Sequence, residues 1–541
     1  MKGIKKNIWL LVAATGLLMS LPWLVKGTSL LALIALVPLL WAEKMASQAG
    51  IKRFWPYHYS AFVLWNALTT FWVWNATAGG AIFAILANAL QMSLIFGAFR
   101  LSKKRFKGVL PYIFLAAAWI AWERWYVTSA QISWPWLVLG NAFAKDISLI
   151  QWYEYTGHLG GSLWVWVCNL GVFGLLSALS DGRWKGLGAK ARWAAGISLG
   201  LVLLAPIAIS EYRFATFQED QEPLEVLIAQ PNFDPYQKFQ SLTQAQQNAI
   251  LEGQVVGELR GRKDSTLLLV LAPETFTWDV TVGEVDSSAT VKRFVRMLRS
   301  CPGANIILGA ATKEYIFSGT KPSHTALSVG KGVWRESHNS AIVTDGSGRN
   351  EIFHKSKLVV GVEMMPYPAF FSKVDELIGK ILGVPYVMGR DIGQEEISCL
   401  HLSDGTPVGC AICYESVYGE YCTGYVREGA RLLTVITNDA WWGDTPGYSQ
   451  HLSYSSLRAI ETRRDIARCA NTGISAIIDQ RGRILERSPW WEMAVIRGTV
   501  NLSDRQTFFV RHGDIPGRIS VLVFLLLAAL LLVRFIIPKE S

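Results

Sequence analysis

The sequence predicts a two-part fold: a polytopic α-helical membrane domain of about eight spans, and an α/β domain lying before the last of them. Three observations carry this reading. Hydrophobic residues make up 51% of the 541 and charged residues only 17%, against about 25% charged in a soluble domain. The 23 Trp suit a chain with membrane interfaces, where indole rings concentrate. Between residues 213 and 505 the long apolar runs give way to short β-type runs alternating with helical stretches, the pattern of an α/β domain.

A span needs about 20 apolar residues. Residues 1–212 offer seven candidates, at 8–25, 28–43, 58–75, 79–99, 109–126, 163–180 and 193–210, and an eighth lies at 518–536 within the carboxy-terminal segment 506–541. The first lacks a small-x-small cleavage site and is followed at once by more spans, so it reads as a retained helix and not a signal peptide. Lys and Arg cluster in alternate loops: Lys2, Lys5 and Lys6 before the first span, Arg100 to Lys107 after the fourth, Arg183 to Arg192 after the sixth. The positive-inside rule places these in the cytoplasm and residues 213–505 outside it. It also accounts for the net charge of +10 without a nucleic-acid partner. The long loop 127–162 carries Ser133–Leu137 and Gln151–Tyr155, which read as an aromatic belt at the outer interface or as a wall of a lipid-entry groove.

In residues 213–505 the expected strands are Leu224–Ala229, Thr266–Leu271, Asn305–Ala310, Ser340–Thr344, Val408–Ile412, Leu432–Ile436 and Ile474–Ile478, with helices over Gln237–Leu259 and Ser449–Ala470. Gly346–Arg349 and Gln480–Arg483 read as hairpin turns. Residues 370–382 place Val374, Leu377, Ile378, Ile381 and Leu382 at helical spacing, compatible with core packing or with a lid dipping into lipid.

Three polar residues stand where apolar runs end. Cys413 closes Gly-Cys-Ala-Ile-Cys-Tyr-Glu-Ser, 409–416, as a nucleophile presented at a strand end would, with the Tyr414 N–H available to an oxyanion. Glu274 follows Thr-Leu-Leu-Leu-Val-Leu-Ala-Pro; a desolvated carboxylate there has the raised basicity to take a thiol proton. Lys355, in Phe-His-Lys-Ser-Lys-Leu-Val-Val, is a cation able to stabilise thiolate and oxyanion. Lys357 shares its direction if the strand continues, and His354 would make a Cys–His pair instead. Seven Cys leave at least one unpaired within the chain. Cys410 and Cys413 form a C-x-x-C, but no second pair or His ligands follow, so no metal site is expected; Cys410 points to the opposite face and reads as core.

In this order, Pro-Glu after a strand, His-Lys before Leu-Val and Cys-Tyr-Glu after a strand resemble the nitrilase superfamily. Framed by seven spans and one, they resemble its apolipoprotein N-acyltransferases, over nearly the whole chain. Gln230-Pro231-Asn232, Glu363, Glu415 and the Thr437–Asp444 segment with Trp441 and Trp442 agree, followed by a helix with Arg458 and Glu461. The sequence departs at Ala272 and Phe239, where the family commonly has Trp, and at Val360–Val362 before Glu363.

The resemblance implies a nitrilase-like αββα sandwich and a Glu274–Lys355–Cys413 triad. It implies support from Tyr414, Glu363 and Glu415, and substrate contacts at Phe239, Trp441 and Trp442. It implies no cofactor, since a covalent step replaces a metal-activated water. The partners it implies are a phospholipid acyl donor, with phosphatidylethanolamine expected, and a diacylated apolipoprotein acceptor. The location it implies is the bacterial inner membrane, with the catalytic domain on the periplasmic side. A membrane-anchored amidase using water is the alternative enzyme. A transporter or lipid-binding scaffold is the non-enzymatic one; Glu123 and Arg124, its main intramembrane charges, lie near a span end and read as structural.

Overall fold

A computed structural model of the chain describes residues 2–537 except 236, 237, 239, 260–265 and 385. Phe239 and Gln237 therefore lie outside the described residues. Among those described, six helices are long and apolar enough to cross a membrane: Gly3–Leu24, Ser29–Gln48, Ala78–Ser102, Tyr153–Ser180, Ala189–Thr216 and Ile515–Ile536. The other two expected spans coincide with helices Trp55–Thr70 and Leu110–Thr128, which fall outside that set. Tyr153–Ser180 starts ten residues before its expected span, because the chain turns through Gly157 (φ 62°) and resumes as helix. A side chain at Gly157 would collide with the Phe509 ring.

The α/β part is two sheets. One contains β1 (Glu222–Gln230), β2 (Leu268–Leu271), β3 (Thr277–Thr281), β4 (Ala304–Phe317), β5 (Leu327–Gly330), β6 (Val333–Asp345), β7 (Asn350–His354) and β14 (Ala494–Leu502), ordered β14-β1-β2-β4-β6-β5 with β3 beside β4 and β7 beside β6. The other contains β8 (Leu400–His401), β9 (Pro407–Ile412), β10 (Leu432–Thr437), β11 (Ile466–Ala470), β12 (Ala476–Ile478) and β13 (Ile484–Arg487), in sequential order. Strand periodicity of two builds two cores from one strand. On β1, Leu224, Val226 and Ile228 join the core shared with the second sheet, while Leu227 and Ala229 pack under helices Gln244–Leu259 and Ala289–Leu298. Helices Gly419–Arg427 and Pro446–Thr462 cover the far face of the second sheet. The result is an αββα sandwich.

β1, β2 and β4 run parallel, as do β9, β10 and β11. Parallel neighbours need crossovers, and their carboxyl ends line up on one edge. The expected helix Ser449–Ala470 is corrected: Arg463 takes a left-handed φ of 51°, ending the helix at Thr462, and Ile466–Ala470 is strand β11. The junction, Glu461–Asp465, is polar throughout, so no apolar pattern there marked the switch of period.

The loop 127–162 is packed against the α/β domain. Trp136 is fully buried and donates to Gln450 at 2.7 Å. Gln151 and Glu154 receive Arg463, at 2.7 and 2.9 Å. The aromatic-belt reading fails for Trp136 and Tyr153, which are buried in protein, whereas Tyr155 is exposed. Helix Pro368–Leu382 decides between its two readings. Asp375 and Gly379 face inward, whereas Phe370, Leu377, Ile381 and Leu382 are exposed, so its apolar face is not core.

Candidate active site

The predicted residues converge on the carboxyl edge of the parallel strands. Cys413 follows β9 directly, Glu274 lies three residues beyond β2, and Lys355 follows β7 directly. Two of the corners are strained. Cys413 holds φ 51° and Thr275, next to Glu274, φ 47°, conformations that cost non-Gly residues about 1–3 kcal/mol and concentrate at functional sites. The Glu274 corner also requires Gly309 on β4, where a Cβ would stand 2.5 Å from the Glu274 Cα.

Lys355 is fully buried. Its ammonium donates to Glu274 Oε1 at 3.1 Å and to Glu363 Oε1 at 2.8 Å. Burial works against the charge, but Glu274, Glu363 and Cys413 outweigh it and hold the Lys355 pKa well above its ordinary value. Asn339 on β6 bridges the carboxylates, donating to Glu274 Oε1 and Glu363 Oε1, each at 2.8 Å. Glu363 is fixed further by the Val359 N–H on Oε2, 2.7 Å. Among the described residues, both contacts to Glu274 fall on Oε1, which leaves Oε2 for a transferable proton. Burial, then Glu274, pushes the Cys413 thiol pKa up, opposed by Lys355 and a hydrogen bond to Thr437. Cys413 therefore rests as a thiol, and a nucleophilic role for it requires a base; Glu274 is the nearby carboxylate that acts on it most strongly.

Glu415 joins the nucleophile's corner to the lysine's. Its Oε2 accepts the Ile412 N–H at 2.8 Å, and its Oε1 accepts the Ser356 N–H at 2.6 Å and the Lys357 N–H at 3.2 Å. Tyr414 donates its hydroxyl to Ser133 O at 3.0 Å and lies beside the Trp134 ring, so the loop 127–162 forms a wall next to the thiol. Lys357 leaves the cluster and lies over the Tyr418 and Tyr421 rings, because β7 ends at His354 and the strand alternation does not reach it. His354 turns to Ser340 Oγ, 2.7 Å, and stacks on His338. Cys410 is buried core, and all seven thiols are free.

The two tryptophans part company. Trp441 is exposed, whereas Trp442 packs on Trp72, Trp136 and His451. Sequence reasoning missed Asn339, His451, Arg468 and Lys238. Arg468 is a charged residue inside the otherwise apolar run Ile466–Ala470, which is the signal that would have found it, whereas Asn339 stands among Glu336, Ser337, His338 and Ser340 and carries no such signal. Lys238 is buried, donates to the Thr275 carbonyl, and is lowered by burial to about 7. Among the described residues, no group of three or more His, Cys, Asp or Glu is arranged to hold a metal.

Comparison with known proteins agrees with this architecture. Residues 194–508 match the carbon-nitrogen hydrolase family profile, and residues 15–171 match the apolipoprotein N-acyltransferase N-terminal domain. An apolipoprotein N-acyltransferase of Chlorobaculum tepidum is 28% identical over 516 residues, 93% of this chain and 92% of that one. One of Geobacter metallireducens is 26% identical over 528 residues, 95% and 93%. Among solved structures, a CN-hydrolase superfamily protein of Xanthomonas campestris aligns with TM-score 0.33 at 17% identity, covering 52% of this chain and 91% of that one.

Proposed function

The chain belongs to the carbon-nitrogen hydrolase family, as an apolipoprotein N-acyltransferase acting on lipoproteins at a membrane, and from that premise we propose that it works through a thioester on Cys413 with Glu274 as base and Lys355 as electrostatic partner. The observation that carries this is the buried ammonium of Lys355, bonded to both Glu274 and Glu363 and interacting electrostatically with Cys413.

In the first half-reaction Glu274 takes the thiol proton and the sulfur attacks the ester carbonyl of a phospholipid acyl chain. The oxyanion is met by Lys355 and the Tyr414 N–H, donors that matter most where negative charge develops. The tetrahedral adduct collapses, and the lysophospholipid alkoxide leaves with the proton held by Glu274. In the second, the α-amine of the diacylated amino-terminal Cys attacks the thioester. Glu274 takes the amine proton and returns it to the departing thiolate, leaving an amide. Glu363, Asn339 and Glu415 fix the direction of the lysine and of the nucleophile corner.

The donor is a phospholipid, with phosphatidylethanolamine as the expected class, and the reaction takes place on the periplasmic side of the inner membrane. Two features support a bilayer-facing site. The Lys- and Arg-rich loops alternate with nearly uncharged ones. Helix Pro368–Leu382, which begins five residues beyond Glu363, turns Phe370, Leu377, Ile381 and Leu382 to the surface, an apolar face suited to acyl chains. Trp441 and Trp442 serve as exposed contact and as packed wall, respectively.

The test is to incubate the purified protein in detergent with phospholipid bearing a labelled acyl chain and no acceptor. A hydroxylamine-sensitive adduct that is lost in Cys413→Ala and kept in Cys410→Ala supports the reading. A label that never attaches, or that survives Cys413→Ala, refutes it. Adding a diacylated peptide should discharge the label into amide; release mainly as fatty acid would favour the amidase.

A further inference from the structure

A second polar cluster lies behind the nucleophile. His451, on helix Pro446–Thr462, directs Nε2 at the carbonyl oxygen of Cys413, 3.1 Å away, and the Ser416 hydroxyl donates to the same oxygen at 2.8 Å. On the other side of the ring, Nδ1 is 3.0 Å from an Arg468 guanidinium nitrogen and 2.9 Å from Asp439 Oδ1. Arg468 is itself bonded to Asp439 Oδ2 at 2.7 Å, and Thr437 donates to Asp439 Oδ1 at 2.9 Å. His451, Asp439, Arg468, Thr437 and Ser416 are all fully buried, and the ring is held between Trp136 and Trp442. Nothing in the proposed chemistry uses this histidine.

Its geometry has a consequence for the site. The Cys413 oxygen can only accept, so the form of His451 that holds it carries a proton on Nε2, which also lies 3.0 Å from the Ser416 hydroxyl. Burial, then Arg468, lowers the pKa of the ring, so the imidazole is neutral and carries one proton, either on Nε2 with Arg468 donating to Nδ1 or on Nδ1 facing Asp439 Oδ1. The Arg468 N–H aimed at Nδ1 needs a lone pair there, which favours the first form. The Cys413–Tyr414 peptide is planar and trans, as all peptides of the described chain are, so its N–H points opposite to its C=O. Holding the Cys413 oxygen from behind aims the Tyr414 N–H forward, and it does so at a residue whose backbone is strained at φ 51° and would otherwise relax.

We propose that His451, set by Arg468 and Asp439, is a positioning residue that locks the Cys413–Tyr414 peptide so that the Tyr414 N–H faces the acyl oxyanion. The inference rests on the acyl-enzyme reading above. Its effect is confined to steps that develop an oxyanion. Alkylation of the Cys413 sulfur by iodoacetamide is a displacement at carbon and forms no tetrahedral oxyanion, so it reports the thiol and its base without this peptide.

The experiment compares the parent with His451→Leu and His451→Gln in detergent, measuring single-turnover acylation from labelled phospholipid, the concentration dependence of that rate, and alkylation by iodoacetamide. Leu removes the donor; Gln returns an amide N–H near the Nε2 position. The expected result for His451→Leu is a fall in the saturated acylation rate of about 10²-fold, the scale of losing one oxyanion donor. Half-saturation and alkylation should each stay within about threefold, and His451→Gln should recover most of the acylation rate. The inference is overturned if His451→Leu acylates like the parent, if alkylation falls in step with acylation, or if His451→Gln is no better than His451→Leu. A parent that forms no adduct overturns the acyl-enzyme reading and this inference with it; a failure confined to the variants overturns this inference alone.

Discussion

Two buried ionic clusters flank Cys413, and they are built from the same chemistry. In front, Glu274, Glu363 and Asn339 surround Lys355; behind, Asp439 and His451 surround Arg468. The front cluster has a Glu274 oxygen without a hydrogen-bond partner among the described residues and a Glu363 side chain 14% exposed, so a proton and a substrate can reach it. The rear one is sealed, with Asp439 and Arg468 at 1% and 0%, and Asp439 is held down to about 2, where Arg468, His451 and Thr437 overcome burial. The difference teaches that a buried ion cluster becomes a reactive site through what is left unpaired, not through its charge. In the proposed chemistry the front cluster acts on atoms of the substrate, and the rear one on the backbone of Cys413.

Substitutions should separate the clusters by what they damage. The largest effect belongs to the front: Cys413→Ala should abolish acyl transfer, a loss of at least about 10⁴-fold as for other nucleophile deletions, with thermal unfolding close to the parent. Lys355→Met removes the shared cation and should cost about 10²–10³-fold in acylation. The rear cluster should answer in stability first. Arg468→Met leaves Asp439 buried without its cation and should cost about 3–5 kcal/mol, seen in denaturant or thermal unfolding; a stable Arg468→Met variant would refute the contrast. Glu363→Gln keeps the shape but weakens the hold on Lys355, and should lower the saturated rate about tenfold while leaving unfolding within about 1 kcal/mol.

The smallest effect is one of pH. Asp391, whose N–H donates to the Glu363 carbonyl at 2.8 Å, is raised to about 6 by burial and then by Glu363. Its folded pKa lies above the unfolded one, so its favourable contribution is complete below about pH 4 and is lost as pH rises through about 6. Asp391→Asn should therefore stabilise the protein at pH 8, by about 1–3 kcal/mol, and change nothing at pH 4. Equal gains at both pH values would show that the front cluster does not couple to this carboxyl.

Much of this was legible beforehand, for local reasons. Apolar run length separated the membrane part from the α/β part, and strand-end position singled out Glu274, Lys355 and Cys413 before any contact was known. Other features were not local. Lys355 and Lys357 were indistinguishable until the end of β7 was fixed. The helix at 446–462 ran on into β11 because one left-handed Arg463 leaves no mark in hydrophobicity. Helix 368–382 could not declare which medium its apolar face meets, since lipid and core demand the same residues. Asn339, His451 and Arg468 come from β6, a covering helix and β11, and nothing in their spacing brings them to Cys413.

By itself, then, the sequence determined what each segment is and which residue types its ends present, because transfer free energy and backbone periodicity act over a few residues. Tertiary structure alone decided which of those ends meet. Two parallel strand sets stacked face to face bring the ends of β2, β7, β9 and β10 to one edge, and the crossover helix Pro446–Thr462 carries His451 to the nucleophile's carbonyl. Convergence of that kind depends on sheet order and on packing between residues far apart in the chain, 81 positions for Glu274 and Lys355 and 38 for Cys413 and His451, which no local pattern encodes.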